Sequence, residues 1–110
     1  GELQASKYLQ NQGYLLLDEH YSTRYGELDL VMQAGDTIVF VEVKTRTTSI
    51  FGPPEASITP EKMEKIQNTG LLWLQEHPDA PDDWRVDAVS ILLDQKKFIR
   101  DLKHFINITS

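Results

Sequence analysis

The sequence contains no cysteine, so disulfide bonds and thiolate metal sites are excluded. It has no apolar run approaching the roughly 20 residues of a membrane-spanning helix, and no signal peptide is visible. These absences fit a reducing compartment. We therefore expect a cytoplasmic protein with no membrane partner.

Positive charge is also scarce, because 11 Lys and Arg residues face 17 Asp and Glu residues, giving a net charge of −6. Affinity for nucleic acid usually comes from cations that meet phosphates, so this balance counts against broad electrostatic binding. A bound divalent cation would offset part of the acidity. The length of 110 residues predicts a single domain over 1–110 with a core of its own.

Hydrophobic periodicity predicts two helices and five strands. The helices are expected at 2–12 and from Thr59 to about His77, and a loop rich in breakers at 47–58. The strands are expected at 14–21, 26–31, 39–46, 84–92 and 97–102. Because the second helix follows the third strand, it can serve as a crossover. We predict an α/β fold with a mixed sheet of about five strands flanked by helices, in the order α-β-β-β-α-β-β.

A hairpin turn is predicted between the second and third strands, at Gly35-Asp36. Glycine at the first central position supplies the positive φ that a two-residue hairpin loop requires. A two-residue loop here places Ala34 opposite Thr37. Every other pair of the hairpin then follows from this register.

The same register brings four charged side chains together on one face of the hairpin. Asp29 lies opposite Glu42, and Glu27 lies opposite Lys44. Two like charges that face each other in an apolar sheet are destabilising unless a cation neutralises them. The alternative is a solvent-facing polar stripe in which Glu27 and Lys44 form an ordinary ion pair.

This carboxylate cluster suits one kind of chemistry. Oxygen ligands favour Mg²⁺ or Mn²⁺, and Mg²⁺ is usually held by one or two carboxylates with water. Such an ion polarises a phosphodiester and activates a bound water, which a neighbouring lysine can orient or deprotonate. Glu2 shares a helix face with Ala5 and Leu9, so it points toward whatever the first helix packs on. Its alternative role is that of a first-turn glutamate favoured by the helix dipole.

Other chemistry finds little support in the sequence. His20, His77 and His104 lack metal-ligand spacing and are predicted to lie on the surface or in loops. The chain contains no nucleophile elbow, Walker loop or dinucleotide-binding turn. Arg85 and Asp87 share a strand face, and a structural ion pair is the favoured interpretation over a catalytic role.

Several segments together resemble the YraN family, a group of bacterial proteins related to the PD-(D/E)XK nucleases and, distantly, to archaeal Holliday junction resolvases. The resemblance covers roughly 1–92 and implies a restriction-endonuclease-like core. The segments that carry it are Gly1-Glu2, Ala5, Tyr8-Leu9, Gly13-Tyr14, Gly26-Glu27-Leu28-Asp29-Leu30, Phe40-Val41-Glu42-Val43-Lys44-Thr45-Arg46, Phe51-Gly52, Thr59-Pro60, Lys62 and Arg85-Val86-Asp87.

The resemblance also implies roles for individual residues. Asp29, Glu42 and the carbonyl of Val43 would be ligands of a Mg²⁺ or Mn²⁺ cofactor. Lys44 would be the catalytic lysine. Glu2 would be the carboxylate of the first helix, acting on the metal through water.

Three functions are compatible with these features. The first is a Mg²⁺-dependent DNA endonuclease or resolvase-like phosphodiester hydrolase, with Arg46 and Lys62 expected to contact nucleic acid. The second, motivated by the acidic net charge, is a nuclease-fold module that binds nucleic acid or protein without cleavage. The third is a purely structural or protein-interaction domain. Resemblance to junction resolvases also predicts a homodimer, because two scissile strands call for two sites related by two-fold symmetry.

Overall fold

The structure is a computed structural model that describes residues 1–47 and 58–109. It confirms the predicted α/β class and the element order α-β-β-β-α-β-β. The elements are α1 (Glu2–Asn11), β1 (Leu15–Thr23), β2 (Gly26–Ala34), β3 (Thr37–Thr47), α2 (Pro60–Glu76), β4 (Asp83–Leu93) and β5 (Ile99–Phe105). The predicted loop at 47–58, including Phe51-Gly52, lies almost wholly outside the described residues.

All five strands form one mixed sheet in the order β1-β2-β3-β4-β5. The first three strands are antiparallel neighbours, β3 and β4 are parallel, and β4 and β5 are antiparallel. Short turns suffice between antiparallel strands, whereas a parallel pair needs a long crossover. The segment that contains α2 is that crossover, as predicted.

Each helix covers one face of the sheet, and the alternation along β3 shows which face is which. Val39 and Val41 pack in the cluster that contains Ala5 and Leu9 of α1. Ile38 and Phe40 pack in the cluster that contains Ile66 and Trp73 of α2. Since strand side chains alternate between faces, Glu42 and Lys44 follow Phe40 on the α2 side. Neither described helix is long and apolar enough to cross a membrane.

The N-terminal end of α2 is set by its capping residues. Thr59 has an extended backbone, and its hydroxyl accepts a hydrogen bond from the backbone N–H of Lys62 at 3.1 Å. Pro60 occupies the first helical position, where its fixed φ suits the helix. This cap, which the sequence predicted, fixes the backbone of Lys62 at the helix start.

Close packing of α2 on the sheet depends on Gly70. A Cβ at this position would lie only 2.5 Å from Cε2 of Phe40. Glycine therefore allows the helix to approach β3 more closely than any other residue would.

The hairpin between β2 and β3 has the predicted turn and register. Gly35 has a φ of 61°, and Ala34 pairs with Thr37. The pairing continues to Leu30 and Val41 and ends there. The candidate site begins at that point.

Candidate functional site

Asp29 lies where β2 and β3 separate. Its Oδ2 accepts a hydrogen bond from the backbone N–H of Val43 at 2.8 Å. A side chain thus satisfies a donor that would otherwise need a ladder partner, while β3 continues beside β4 as far as Thr47. A carboxylate has about four acceptor positions, so this one bond leaves Asp29 with capacity for a cation.

The separation of the strands makes the predicted pairing of Glu27 with Lys44 wrong. The β2–β3 ladder ends before it reaches either residue, because Asp29 intervenes. Glu27 instead follows the pairing of β2 with β1. Its carboxylate lies 3.3 Å from Nδ1 of His20 and accepts a hydrogen bond from Ser22 at 3.4 Å. Glu27 therefore does not pair with Lys44, and the charged cluster is smaller than the hairpin register alone predicted.

Glu42 is a buried carboxylate with a lysine against it. The residue is 7 % exposed, and its Oε1 lies 2.5 Å from Nζ of Lys62. Burial raises the pKa of Glu42, and the charge of Asp29 adds to this effect, while the hydrogen bond from Lys62 opposes it. The same bond to Glu42 raises the pKa of Lys62. Lys62, expected to meet phosphate, thus contacts a predicted metal ligand.

Glu2 approaches Asp29 from α1. The N-terminal end of this helix lies against β3, since a Cβ on Gly1 would collide with the hydroxyl of Thr45. Burial raises the pKa of the Glu2 carboxyl, and the negative charge of Asp29 raises it further. The side chain of Glu2 is 34 % exposed. The sequence-based expectation that it points toward the sheet agrees with this arrangement.

A cleft of about 420 Å³ opens beside Glu42 on the α2 side of the sheet. It is lined by Glu42, Val43, Lys44, Thr45, Arg46, Lys62 and Ser90. The charge of Lys44 helps to lower the pKa of Glu42 against the effect of burial. A slightly larger cleft of about 450 Å³ lies near Trp73 and His77 and contains none of these side chains.

Arg46 brings an unsatisfied donor to the first cleft. Its Nη2 is buried and has no hydrogen-bond partner among the described residues. A buried donor without an acceptor costs about 1–3 kcal/mol. An anion in the cleft would supply that acceptor.

The donors present fit a hard divalent cation. Asp29, Glu42 and the carbonyl of Val43 offer only oxygen, the ligand type that Mg²⁺ and Mn²⁺ prefer. Across 1–47 and 58–109, no group of three or more carboxylate or histidine side chains is close enough to hold a metal ion. Two carboxylates with water are nevertheless the usual protein share of a Mg²⁺ site. A water-mediated role for Glu2 is compatible with this arrangement.

His20 is a residue near the site that the sequence analysis assigned to the surface. It lies on β1, and its Nε2 is 2.8 Å from Oε2 of Glu2. Its φ is 53°, a left-handed conformation that costs a non-glycine residue about 1–2 kcal/mol. Histidine is among the residues that adopt this conformation more often than most, but nothing in the strand pattern marked the position.

A second polar cluster lies around Asp87, which is fully buried. The predicted ion pair with Arg85 is confirmed, with Nε 2.9 Å from Oδ1. The carboxylate also accepts hydrogen bonds from the hydroxyl of Tyr14 at 3.3 Å and the backbone N–H of Asn107 at 2.9 Å, and lies 2.8 Å from Nε2 of His104. The surface prediction for His104 was wrong, since its side chain on β5 is 9 % exposed. A buried carboxylate needs several donors, and this histidine is one of them.

Burial alone would raise the pKa of Asp87, but its contacts with His104, Arg85 and Asn107 outweigh burial and lower it. The carboxylate is thus held in its charged form by partners from three parts of the chain. These contacts form a structural network that connects β5 and the segment after it to β4.

Comparison with known proteins shows the family. The model of the uncharacterised protein family UPF0102 matches residues 1–91, and the chain belongs to this family. A UPF0102 protein from Syntrophomonas wolfei is 43 % identical over 107 residues, covering 97 % of this chain and 91 % of the relative. A UPF0102 protein from Alkaliphilus oremlandii is 41 % identical over 100 residues, covering 89 % of this chain and 86 % of the relative. The predicted membership of the YraN family is confirmed.

Proposed function

We propose that this protein is a Mg²⁺- or Mn²⁺-dependent DNA endonuclease of the PD-(D/E)XK type, with a resolvase-like preference for branched DNA. The observation that carries the proposal is the position of Asp29. It is inserted between two separating strands beside the buried Glu42, and Lys44 follows two residues later on the same strand. A cytoplasmic location is part of the proposal, since that is where bacterial DNA lies.

In this proposal, Asp29, Glu42 and the carbonyl of Val43 hold the cation, and Glu2 acts on it through water. The bound ion supplies Lewis-acid polarisation of the phosphodiester and a water of lowered pKa. Lys44 lies in the same cleft as Glu42, where it orients or deprotonates the attacking water.

The remaining cations in the cleft are assigned to the DNA backbone. Arg46 carries a buried donor that a phosphate oxygen would satisfy. Lys62 forms an ion pair with Glu42, and a cation bound by that carboxylate would replace its charge. Lys62 would then be available for phosphate. Two cations that bind in this way would give contact with DNA despite the net charge of −6.

The test is incubation with four-way junction, flap, linear duplex and single-stranded DNA, each with Mg²⁺, Mn²⁺ or EDTA. We expect metal-dependent cleavage, strongest on branched DNA. Lys44→Ala should lower the cleavage rate by about 10²–10⁴-fold, because it removes proton transfer, while it leaves Mn²⁺ binding intact. Lys7→Ala, which removes an exposed lysine of α1 on the other face of the sheet, is the matched control and should cleave normally.

A second function, a binding module without cleavage, is favoured by the net charge and by the neutralisation of Glu42 by Lys62. The same DNA panel separates the two. Mobility shifts without products under every metal condition would support the binding module. Neither binding nor cleavage, together with no calorimetric heat from Mn²⁺, would leave a structural or protein-interaction domain.

Homodimerisation is part of the nuclease proposal, because cutting two strands of a junction calls for two sites related by a two-fold axis. We expect light scattering at tens of micromolar to give about twice the chain mass of 12.6 kDa. A species of single-chain mass, with and without junction DNA, would contradict the dimer while leaving the chemistry at each site open to the cleavage assay.

A further inference from the structure

His20 occupies an unusual position in the sheet. In the β1–β2 ladder, Glu19 pairs with Leu30 and Tyr21 pairs with Leu28. The residue between the two pairs, His20, therefore reaches β2 at the level of Asp29. It has a left-handed backbone at this point, with a φ of 53°. Such a conformation in a strand persists only where surrounding contacts hold it.

The ring of His20 joins two carboxylates from different elements. Nδ1 lies 3.3 Å from Oε1 of Glu27, and Nε2 lies 2.8 Å from Oε2 of Glu2. Glu27 is also held by the hydroxyl of Ser22. Glu27 and the backbone of β1 thus fix one side of the ring, so that the other side presents a nitrogen to Glu2 on α1.

Glu2 needs such a contact if it is to serve the site. Its side chain is long, lies in the first turn of α1 and is one-third exposed. Rotation of a free glutamate would spread its carboxylate over many positions, and few of these would be near Asp29.

We propose that His20 is a positioning residue that holds the carboxylate of Glu2 in the orientation that serves the metal at Asp29. The inference rests on the proposed function and adds a residue to that site. His20 acts through Glu2 and does not itself contact the reacting groups. The left-handed backbone is the local cost of directing the ring toward α1.

The test uses two replacements of His20 that tolerate a left-handed backbone. His20→Gly removes the ring and relieves the backbone strain, and His20→Asn retains a short polar side chain. Calorimetric titration with Mn²⁺ is expected to show 10–100-fold weaker binding for His20→Gly, as for the loss of other groups that orient metal ligands. His20→Asn should fall between wild type and His20→Gly. The metal-free melting temperature of His20→Gly should stay equal to that of the wild type or rise.

A double-mutant cycle with Glu2→Gln gives the decisive result. If His20 acts through Glu2, the double variant should bind Mn²⁺ no more weakly than Glu2→Gln alone. Should His20→Gly fold poorly, the cycle is run with His20→Asn. Unchanged Mn²⁺ affinity in the His20 variants, or additive losses in the cycle, would overturn this inference and leave the proposed function standing. A wild type that binds no Mn²⁺ would overturn both.

Discussion

Replacing Glu42 with glutamine is expected to leave the metal-free protein as stable as the wild type or more stable, and to abolish both stabilisation by Mn²⁺ and cleavage of DNA. Burial and the neighbouring charge of Asp29 raise the pKa of Glu42, so the ionised carboxylate is held at a cost in the folded state. Glutamine removes that charge in nearly the same shape. Lys62, whose side chain is 51 % exposed, can turn to solvent.

The metal-dependent part of this prediction is large. A ligand present at 100 times its Kd stabilises the folded state by about 2.7 kcal/mol. For a chain of this size the wild type should then melt roughly 10 °C higher with Mn²⁺ than without it. Glu42→Gln should show none of this increase, because it removes one of the two carboxylates assigned to the ion.

Thermal melting with and without Mn²⁺ measures both effects, and Glu64→Gln serves as the matched control. Glu64 is exposed on α2 and carries the same charge, so its replacement should keep the response to Mn²⁺. A destabilised Glu42→Gln together with a wild type that does not respond to Mn²⁺ would refute the nuclease proposal. Such a pair of results would indicate that Glu42 and Lys62 form only a structural ion pair.

Asp87→Asn is expected to cost about 3–5 kcal/mol of unfolding free energy, the usual effect of breaking a buried charged pair from one side. The amide removes the anion that faces Arg85, and it places its own N–H groups among donors. Denaturant unfolding should show a lower midpoint with an unchanged m-value. Asp36→Asn, in the exposed hairpin turn, should change stability by less than about 0.5 kcal/mol.

The loss of stability caused by Asp87→Asn is expected to depend on pH. Because the pKa of Asp87 is lowered from its ordinary value of 3.8, its contribution to stability is fully present above that value. The contribution is lost as the pH falls through the lowered pKa and the carboxylate becomes protonated. The stability difference between wild type and Asp87→Asn should therefore be largest above pH 3.8 and shrink below it.

Stabilisation by Mn²⁺ distinguishes the two clusters. We expect the Asp87→Asn variant still to be stabilised by Mn²⁺, since the network around Asp87 is separate from the cleft at Glu42. A folded Asp87→Asn variant that no longer responds to Mn²⁺ would instead assign the network to the functional site. A loss of stability below about 1 kcal/mol would show that the network matters little to the fold.

The order of the elements, the hairpin and the helix cap could be predicted from the sequence, because each depends on neighbouring residues. Alternation and 3.6-residue periodicity identified strands and helices, and Gly35-Asp36 identified a turn whose first residue has the expected positive φ. The register from Ala34 to Leu30 followed from that turn. Thr59 followed by Pro60 located the start of α2.

What lies beyond Leu30 was decided by tertiary contacts. The ladder ends there because the carboxylate of Asp29 accepts the hydrogen bond of the Val43 N–H. Hydrophobic periodicity does not predict whether a backbone N–H bonds to a side chain or to the neighbouring strand. Glu27 consequently turns to His20, and that ring in turn contacts Glu2 on α1, the element that precedes β1. The strand pattern carries no sign of these contacts.

The pairing of Lys62 with Glu42 and the network of Asp87 have the same origin. Both arise because burial of a charge requires a partner, and the fold supplies whichever donor lies within reach. Tyr14 and His104 meet at Asp87 although the first precedes it by 73 residues and the second follows it by 17. By itself, the sequence determined which residues carry charge and, along β3, which face they share. On β2 the alternation is broken at Asp29, since Leu28 packs in the cluster of α2 and Leu30 in that of α1. Only the packing of α1 and α2 on the sheet and the pairing of β5 with β4 decided which charges meet, because those distances are set by the whole fold.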